Sequence, residues 1–467
     1  MVVSVPESER PAIASYSAES SRFPSPGARA ILERISRVGE AFLVGGAVRD
    51  QLMGRPAQDE DIASSLPPED LKRLFSDCRT LETGIRHGTL SIFMDGRFYE
   101  VTRFRRDGPY SDGRHPDYVD FSVGIEDDLA RRDFTLNAMA LDLEGHLLDP
   151  FHGQDDIKNR KIRAVGDPFQ RFDEDALRLL RAIRFTNRFH FELEEKTAEA
   201  LRAKAPLLLR IAPERIADEF LKIVQDHPDG VTLLHEYGLL SYCFPELEAC
   251  FSCTQELSWH LYDVGRHSVL AAAQGGDLRF RLAALCHDLG KPLTKSFDEE
   301  GRAHFYGHAE LSEKIAETML ARLYLPEKER RVIQRAVALH DTLTVRPSKI
   351  ARIVREEDPE TIQLLIQLKY ADVAAQSPLD YEKKIALIQR QEAAFRRCLD
   401  GPHQLSDLAV DGKDMLALGM RGKEIGEMLE RLLVFVMEEP GRNRHPYLME
   451  RARCWFLKSN AAKRPNR

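Results

Sequence analysis

The stretch "LVGGAVRDQLMGRPAQDEDIA", from Leu43 to Ala63, places two glycines, an arginine and two nearby aspartates within one short segment. Its apolar start predicts a buried strand, and "AVRDQLMG" has the composition of a helix. Gly46 lies at the junction of strand and helix, and Arg49 lies one turn into the helix. Backbone N–H groups at such a helix start, with an arginine beside them, can hold a phosphate group. The stretch therefore predicts a phosphate-binding turn.

The two aspartates that end the stretch predict a metal site. In an extended segment the side chains of residues i and i+2 point to the same side, so Asp59 and Asp61 form a pair and Glu60 points away. Paired carboxylates suit Mg²⁺, which proteins often bind through one or two carboxylates and substrate phosphates. Two such ions can hold the attacking and leaving oxygens of a phosphoryl transfer. An isolated pair is usually a solvated acidic loop, but the glycines and arginine before it favour the metal site.

The composition excludes a membrane protein and a broadly basic nucleic-acid-binding protein. The chain has 467 residues, of which 43% are apolar and 30% charged, as in soluble proteins of several domains. No segment is long and apolar enough to span a membrane. The net charge of −8 means that any nucleic-acid site must be a local patch. The seven scattered cysteines predict a reducing compartment, the cytoplasm.

The order of the elements predicts an α+β protein. Short β-rich segments alternate with helical patterns up to about residue 150 and then stop. Beyond Arg171 nearly every segment has helical periodicity. We therefore expect a small α/β head followed by an elongated, all-helical remainder.

The segment "RFDEDALRLLRAIRF" predicts a helix that reads a nucleotide base. Its arginines Arg178, Arg181 and Arg184 recur every three residues and form one ridge, with Asp175 on the same face. The carboxylate of Asp175 only accepts hydrogen bonds, which suits the exocyclic amine of cytosine or adenine and repels the carbonyl of uracil or guanine. Arg178 only donates, which suits a ring nitrogen. The alternative is a solvated basic stripe.

Five motifs in a fixed order resemble the class II tRNA nucleotidyltransferases, which include the CCA-adding enzymes and the bacterial poly(A) polymerases. After the opening stretch come "DLARRDFTLNAMALD" (Asp128–Asp142), "DPFHGQDDIKNRKIRAVGDP" (Asp149–Pro168), "RFDEDALRLLRAIRF" (Arg171–Phe185) and "PERIADEFLKIV" (Pro213–Val224). The resemblance covers nearly half of the chain. It implies a polymerase-β-like head, Mg²⁺-dependent nucleotidyl transfer and Arg131 as a nucleotide ligand. Glu100 and Asp133 are both candidates for a third carboxylate.

Two further segments bear on the branch of the family. The segment "ETGIRHGTLSIF" (Glu82–Phe93) resembles that of CCA-adding enzymes, and "RDGPYSDGRHPDYV" (Arg106–Val119) resembles the flexible loop of CCA-adding and A-adding enzymes. The resemblance implies addition of CCA, from CTP and ATP, to the 3′ end of tRNA. An A-adding enzyme or a poly(A) polymerase is the alternative within the family.

A second set of residues, in the helical part, resembles the HD phosphohydrolase domain. A lone helical histidine is most often a core residue, but here a His–Asp pair is followed by "LGK" and flanked by further candidates. The resemblance implies a divalent metal, of unassigned identity, bound by His267, His287, Asp288 and Asp372. His308 and His340 match extra positions of two-metal versions. The alternative from another class is an HD phosphohydrolase whose head only binds nucleotide.

The motifs together predict five regions. They are a loose leader at 1–24, the nucleotidyltransferase head at 25–150, a neck with the nucleotide-selecting helix and an RNA-binding segment at 151–230, a helical HD domain at 231–400 and a tRNA-binding helical tail at 401–467. The pair Cys250 and Cys253 lacks a second pair at zinc spacing, and we treat it as incidental.

Overall fold

The computed structural model describes residues 24–57, 59–82, 84, 88–110, 113, 116–255 and 261–462. The predicted leader lies outside these residues, apart from Pro24, and so do parts of the two segments that bear on the branch of the family. The chain forms two compact units, Met1–Asp226 with Glu236–Cys243, and His227–His235 with Phe244–Arg467. Among the described residues, no helix is long and apolar enough to cross a membrane.

A mixed seven-stranded sheet forms the centre of the head, in the order β3-β4-β5-β2-β1-β8-β9. The strands of the first unit are β1 Ala41–Val44, β2 Asp61–Ser64, β3 Thr80–Leu81, β4 Thr89–Met94, β5 Arg97–Arg103, β6 Arg106–Asp107, β7 Val119–Asp120, β8 Ala140–Leu141, β9 Leu147–Leu148, β10 Lys161–Ile162 and β11 Glu192–Leu193. Strand β1 pairs antiparallel with β2 and β8, and β2 pairs parallel with β5. A parallel pair needs a long crossover connection, which runs here through a helix and two strands.

Helices pack on the sheet and follow it along the chain. They are α1 Pro26–Ile35, α2 Gly46–Leu52, α3 Pro68–Leu74, α4 Ile125–Ala130, α5 Gly153–Lys158, α6 Pro168–Glu174, α7 Leu177–Phe189, α8 Glu195–Lys204, α9 Pro213–Asp226, α10 Asp229–Glu236 and α11 Leu240–Cys243. Helix α7 buries Leu179, Leu180 and Ile183 and packs against α9. The arginines of α7 lie outside this apolar face and contact polar groups.

The described residues of the second unit are helical except for one hairpin. After α10 its helices are α12 Pro245–Phe251, α13 Val264–Ala272, α14 Leu278–Cys286, α15 Lys291–Thr294, α16 His308–Arg322, α17 Glu327–Leu339, α18 Pro347–Glu356, α19 Pro359–Ala375, α20 Tyr381–Asp400, α21 Gly412–Ala417, α22 Lys423–Glu438 and α23 His445–Ala462. Strands β12 Ser296–Phe297 and β13 Ala303–His304 form the hairpin, with a turn at Gly301 (φ +77°). The predicted α+β class is confirmed, and the hairpin corrects the all-helical expectation.

Candidate active site and metal centre

Acidic side chains gather where β2 begins. Asp61 pairs with Val44 at the end of β1, and continuation of the parallel β2–β5 register sets it beside Glu100. Asp59 and Asp61 are exposed, whereas Glu60 between them is only 5% exposed. The alternation expected from an extended segment is therefore present in the structure. Asp59 and Asp61 lie on the open side of the sheet end.

The charged groups that act on the Asp61 carboxylate are mostly negative. Although the residue is exposed, neighbouring protein atoms crowd the carboxylate and raise its pKa, and repulsion from Glu100 and Asp59 raises it further. Arg132 opposes this rise. Carboxylates that repel one another in this way are the donor set that a hard divalent cation neutralises. The residues present fit a site for a divalent cation.

Asp133, the other candidate for the third carboxylate, lies in a different environment. Its carboxylate accepts hydrogen bonds from Arg181 Nε at 2.8 Å and from Asn137 Nδ2 at 3.0 Å. Burial alone would raise the pKa of Asp133, but Arg181, Asn137 and the N–H of Phe134 hold it at about 2. Asp133 is thus already neutralised, and Glu100 is the carboxylate that lies beside Asp61.

The glycine turn between β1 and α2 lies against Arg132. Gly45 has φ +70°, a conformation that side chains rarely adopt, and a Cβ there would lie 2.8 Å from Arg132 Nη1. Arg132 also donates to Asp128 at 3.1 Å, and Asp128 accepts two hydrogen bonds from Arg131 at 2.7 and 3.0 Å. Asp128 therefore orients both arginines close to the acidic residues.

Arg49 does not reach this open side. Only 6% of the residue is exposed, and its guanidinium donates to Asp50 at 2.8 Å and to Asn137 at 2.7 Å. It also lies 4.8 Å from the ring centre of Phe189. Burial lowers the pKa of Arg49. The phosphate contact expected for Arg49 stays a prediction, since its guanidinium is buried and bonded to Asp50 and Asn137 in the structure.

The two residues expected to read the base lie at the start of α7. Asp175 accepts from Arg215 at 2.9 Å and from the N–H of Leu177 at 3.1 Å. Arg178 donates to Glu174 at 2.7 Å and to the carbonyl oxygen of Arg131 at 3.2 Å, so its guanidinium lies beside the predicted nucleotide ligand. The structure thus brings the Arg178 guanidinium to the backbone of Arg131, and base reading by Asp175 and Arg178 stays a prediction.

The other two arginines of the ridge have structural partners. Arg181 binds Asp133, and Arg184 lies 3.3 Å from Glu219 on α9. Asp133 raises the pKa of Arg181, whereas burial lowers the pKa of Arg184. Their predicted nucleotide contact stays a prediction, since both guanidinium groups bind carboxylates in the structure.

In the second unit, helices α13 and α19 and the end of α14 bring His267, His287 and Asp372 together. His267 Nε2 lies 3.0 Å from Asp372 Oδ1, and His287 Nε2 lies 3.9 Å from the same oxygen. His267, His287 and Asp372 form one group able to hold a metal ion. The Nδ1 atom of His287 lies 2.6 Å from the carbonyl oxygen of Ala284, which leaves Nε2 to face the group.

Asp288, His308 and His340 form a second such group. The Nε2 atoms of the two histidines are 3.2 Å apart, and they lie 3.4 and 3.6 Å from Asp288 Oδ1. The other oxygen, Oδ2, lies 3.1 Å from His287 Nε2. Asp288 therefore reaches both groups, and the residues match a site for two ions.

The two groups together form one centre, which we call the HD centre, and it contains buried atoms without a well-aligned hydrogen bond. Among the described residues, His287 Nε2 and both oxygens of Asp288 are buried without a well-aligned hydrogen bond, and Asp288 Oδ2 forms an ion pair with Lys291 Nζ at 2.6 Å. Burial alone would raise the pKa of Asp288, but His287 and Lys291 hold it well below its ordinary range. Since buried polar atoms are normally satisfied, this donor set fits a divalent cation.

Sequence reasoning did not select three residues that contact these sites. They are Glu174, Arg215 and Lys291. Each lies in a motif that had been recognised, and Lys291 follows Asp288 by three residues, a spacing that brings side chains together on a helix. Their partners, however, become evident only from the packing.

Three family models match the chain. They are the "Poly A polymerase head domain" at residues 41–163, the "Probable RNA and SrmB- binding site of polymerase A" at residues 190–251 and the "HD domain" at residues 259–376. The matched ranges cover the acidic end of the sheet and all six residues of the HD centre.

The curated relatives are CCA-adding enzymes. The enzyme of Enterococcus faecalis is 33% identical over 431 residues, which are 91% of this chain and 94% of that protein. The enzyme of Lactobacillus helveticus is 49% identical over 194 residues, which are 41% of this chain and 48% of that protein. Some matches thus span only about half of the relative's length.

Solved structures agree with these relatives. The Bacillus stearothermophilus CCA-adding enzyme in complex with CTP has a TM-score of 0.68 and 29% identity, over 92% of this chain and 98% of that one. The Thermotoga maritima enzyme complexed with tRNA has a TM-score of 0.58 and 21% identity, over 92% and 94%, and supports the fold alone. Since the E. faecalis relative matches over nearly its whole length, the chain belongs to the CCA-adding enzyme family.

Proposed function

We propose that this protein adds the nucleotides CCA, from CTP and ATP, to the 3′ end of tRNA without a nucleic-acid template. The observation that carries the proposal is the set of Asp59, Asp61 and Glu100 at the end of the sheet, with the glycine turn and Arg132 beside it. Those residues supply metal ligands and phosphate donors on one open surface.

Both centres depend on a divalent metal, and we propose Mg²⁺ for the head, bound by Asp59, Asp61 and Glu100. When bound, such ions lower the pKa of the attacking hydroxyl and neutralise the triphosphate. The protein's own part is to orient the triphosphate. Arg131 and Arg132 are already aligned by Asp128, and the backbone N–H of Gly46 completes the phosphate contact at the start of α2.

We propose that Asp175 and Arg178 select the base. A carboxylate accepts several hydrogen bonds, so Asp175 retains acceptor capacity beyond its bonds to Arg215 and Leu177. Three bonds of Arg178 use part of its five N–H donors and leave the rest for a ring nitrogen. Cytosine and adenine match this pair, whereas uracil and guanine present a carbonyl to the carboxylate.

The test combines the protein with tRNA that lacks its 3′ CCA, labelled CTP and ATP, and Mg²⁺. Wild type should extend the RNA by CCA, and Asp59→Ala or Asp61→Ala should abolish extension while tRNA binding, measured by gel shift, is retained. Addition of A alone to tRNA ending in CC would indicate an A-adding enzyme, and a long A tail would indicate a poly(A) polymerase. Extension by both aspartate variants at the wild-type rate would refute the proposed site.

We further propose that the HD centre hydrolyses phosphate esters. The supporting observation is the pair of metal-ligand groups with unsatisfied buried atoms. Hydrolysis of a simple aryl phosphate or phosphodiester by wild type, with Mg²⁺, Mn²⁺, Ni²⁺ or Co²⁺, tests this second function. No hydrolysis with any of these ions would mean that the centre is structural.

Location and domain limits complete the proposal. We place the protein in the cytoplasm, where tRNA ends are matured. We also propose the domain limits given by the motifs: the neck at 151–230 selects nucleotides and contacts RNA, and the tail at 401–467 binds tRNA. The basic side chains of that tail suit contacts with phosphates more than base reading.

A further inference from the structure

A closed polar network lies behind the acidic residues of the head, and we call it the Glu60 network. Its members are Ser25, Glu60, Arg97 and Tyr99. Glu60 accepts hydrogen bonds from the N–H of Ser25 at 2.8 Å, from the Ser25 hydroxyl and from the Arg97 guanidinium. Arg97 Nε donates to the Tyr99 hydroxyl at 2.7 Å, and the hydroxyls of Ser25 and Tyr99 are 2.9 Å apart.

Two members of the network are direct neighbours of the proposed metal ligands in the sequence. Glu60 separates Asp59 from Asp61, and Tyr99 directly precedes Glu100. Neighbouring side chains of extended segments point to opposite sides. The network therefore holds, on the inner side, the same backbone that presents the three carboxylates on the outer side. Glu60 is 5% exposed and Tyr99 is 2% exposed, whereas Asp59, Asp61 and Glu100 are exposed.

The network also connects segments that are not connected by the hydrogen bonds of the sheet. Ser25 caps the N-terminus of α1, where its hydroxyl accepts from the N–H of Ala28 at 3.4 Å. Asp59 and Glu60 precede the first paired residue of β2, so this part of the chain has no ladder hydrogen bonds of its own. The side chain of Glu60 supplies the missing attachment, to α1 and to Arg97 on β5.

We propose that the Glu60 network sets the spacing of the three carboxylates, so that Glu60 and Arg97 are positioning residues for nucleotide addition. The inference rests on the proposed metal-binding role of Asp59, Asp61 and Glu100. Groups that orient metal ligands without touching the metal affect affinity strongly: their loss typically costs about 10–100-fold.

The experiment compares Glu60→Gln and Arg97→Met with Arg97→Lys, which keeps a cation for Glu60. As a matched control, Arg34→Met removes an ion pair of the same head, between Arg34 and Asp77 at 2.8 Å, that does not contact the network. Mn²⁺ binding is measured by calorimetry in full-length chains that also carry the double change Asp288→Ala/Asp372→Ala, which removes one ligand from each metal-binding group of the HD centre. The Mg²⁺ dependence of CTP incorporation is measured in parallel without that change.

Glu60→Gln and Arg97→Met should bind Mn²⁺ about tenfold or more weakly and need correspondingly more Mg²⁺ for half-maximal rate. Excess metal should restore their rates, which a merely unfolded protein would not allow. Arg97→Lys should lie near wild type, and Arg34→Met should equal it. If Glu60→Gln does not fold, the difference between Arg97→Met and Arg97→Lys decides the question.

Wild-type Mn²⁺ affinity and Mg²⁺ dependence in both Glu60→Gln and Arg97→Met would overturn the inference. Asp61→Ala separates this result from a failure of the proposed function. An inactive Asp61→Ala with a normal Glu60→Gln would refute only the positioning role. Full activity of Asp61→Ala would instead refute the metal site itself.

Discussion

Arg49 and Arg132 show how burial decides which arginine is able to meet a substrate. Both lie near the glycine turn, but Arg49 is enclosed by Asp50, Asn137 and the ring of Phe189. A buried guanidinium with such partners has its charge satisfied inside the protein. Within the part of the chain that the structure describes, Arg132 hydrogen-bonds to one carboxylate, that of Asp128, and it lies against Gly45, so we expect Arg132 to be the arginine that contacts a triphosphate.

At the scale of single residues, the low pKa of Asp133 predicts an acid-dependent loss of stability. The folded-state pKa, about 2, lies below the ordinary 3.8, so Asp133 stabilises the fold above pH 3.8 and loses this contribution as the pH falls towards 2. The shift corresponds to about 2 kcal/mol. Calorimetric melting between about pH 5 and about pH 2 should show that wild type loses this amount relative to Asp133→Asn. A constant difference between the two proteins would contradict the expectation.

Asp175 offers a second test at the residue scale. Asp175→Ala removes the acceptor for the exocyclic amine, and a buried polar group left unpaired costs about 1–3 kcal/mol. The variant should lose CTP and ATP efficiency and tolerate UTP and GTP better, which the ratio of CTP to UTP incorporation measures. Asp175→Asn is the control for folding, because its carbonyl still accepts from Leu177 N–H while its amide donates to uracil. An unchanged ratio in Asp175→Ala would exclude base reading by Asp175.

At the scale of elements, the turn between β1 and α2 depends on glycine for two reasons. Gly45→Ala adds backbone strain of about 1–3 kcal/mol and moves Arg132, whose Nη1 lies 2.8 Å from the new Cβ. Gly96→Ala, in the β4–β5 hairpin at φ +83°, adds comparable strain but meets no atom within 4 Å. Both variants should melt lower than wild type.

Only Gly45→Ala should raise the KM for CTP, by about tenfold or more, because a hydrogen bond to a charged group is worth about 1.5–3 kcal/mol. Steady-state kinetics on tRNA lacking CCA provide the measurement. Equal KM values in the two glycine variants would show that Arg132 does not contact the nucleotide.

The elements also show which features local sequence determines. The exposure of Asp59 and Asp61 and the burial of Glu60 follow from alternation within one extended segment. That Glu100 lies beside Asp61, and Asp133 does not, depends on the parallel register of β2 and β5, which are far apart in the chain. The ridge of α7 followed from spacing, but the partners of Arg181 and Arg184 depend on packing between elements, which periodicity does not encode.

At the scale of the whole molecule, the two centres lie in different compact units. His287→Ala removes one ligand of the HD centre and leaves every residue of the head in place. It should therefore abolish metal-dependent ester hydrolysis while CCA addition stays within about twofold of wild type, since residues that share no partners contribute independently. Parallel assays of both activities on one preparation make the comparison. A matching loss of CCA addition would show that the centres are coupled.

The hydrogen bonds between α7 and the head have a mechanical consequence. Arg181 binds Asp133, and Arg178 donates to the carbonyl oxygen of Arg131. Arg171, on the preceding helix α6, donates to the carbonyl oxygen of Ala130 at 2.9 Å. Rotation of α7 against the sheet would break the bonds of Arg178 and Arg181. The proposed base-reading helix is therefore held against the reaction site by hydrogen bonds from its own side chains. If α7 selects the base, as we propose, we expect a mismatched nucleotide to be misaligned against a surface that does not move.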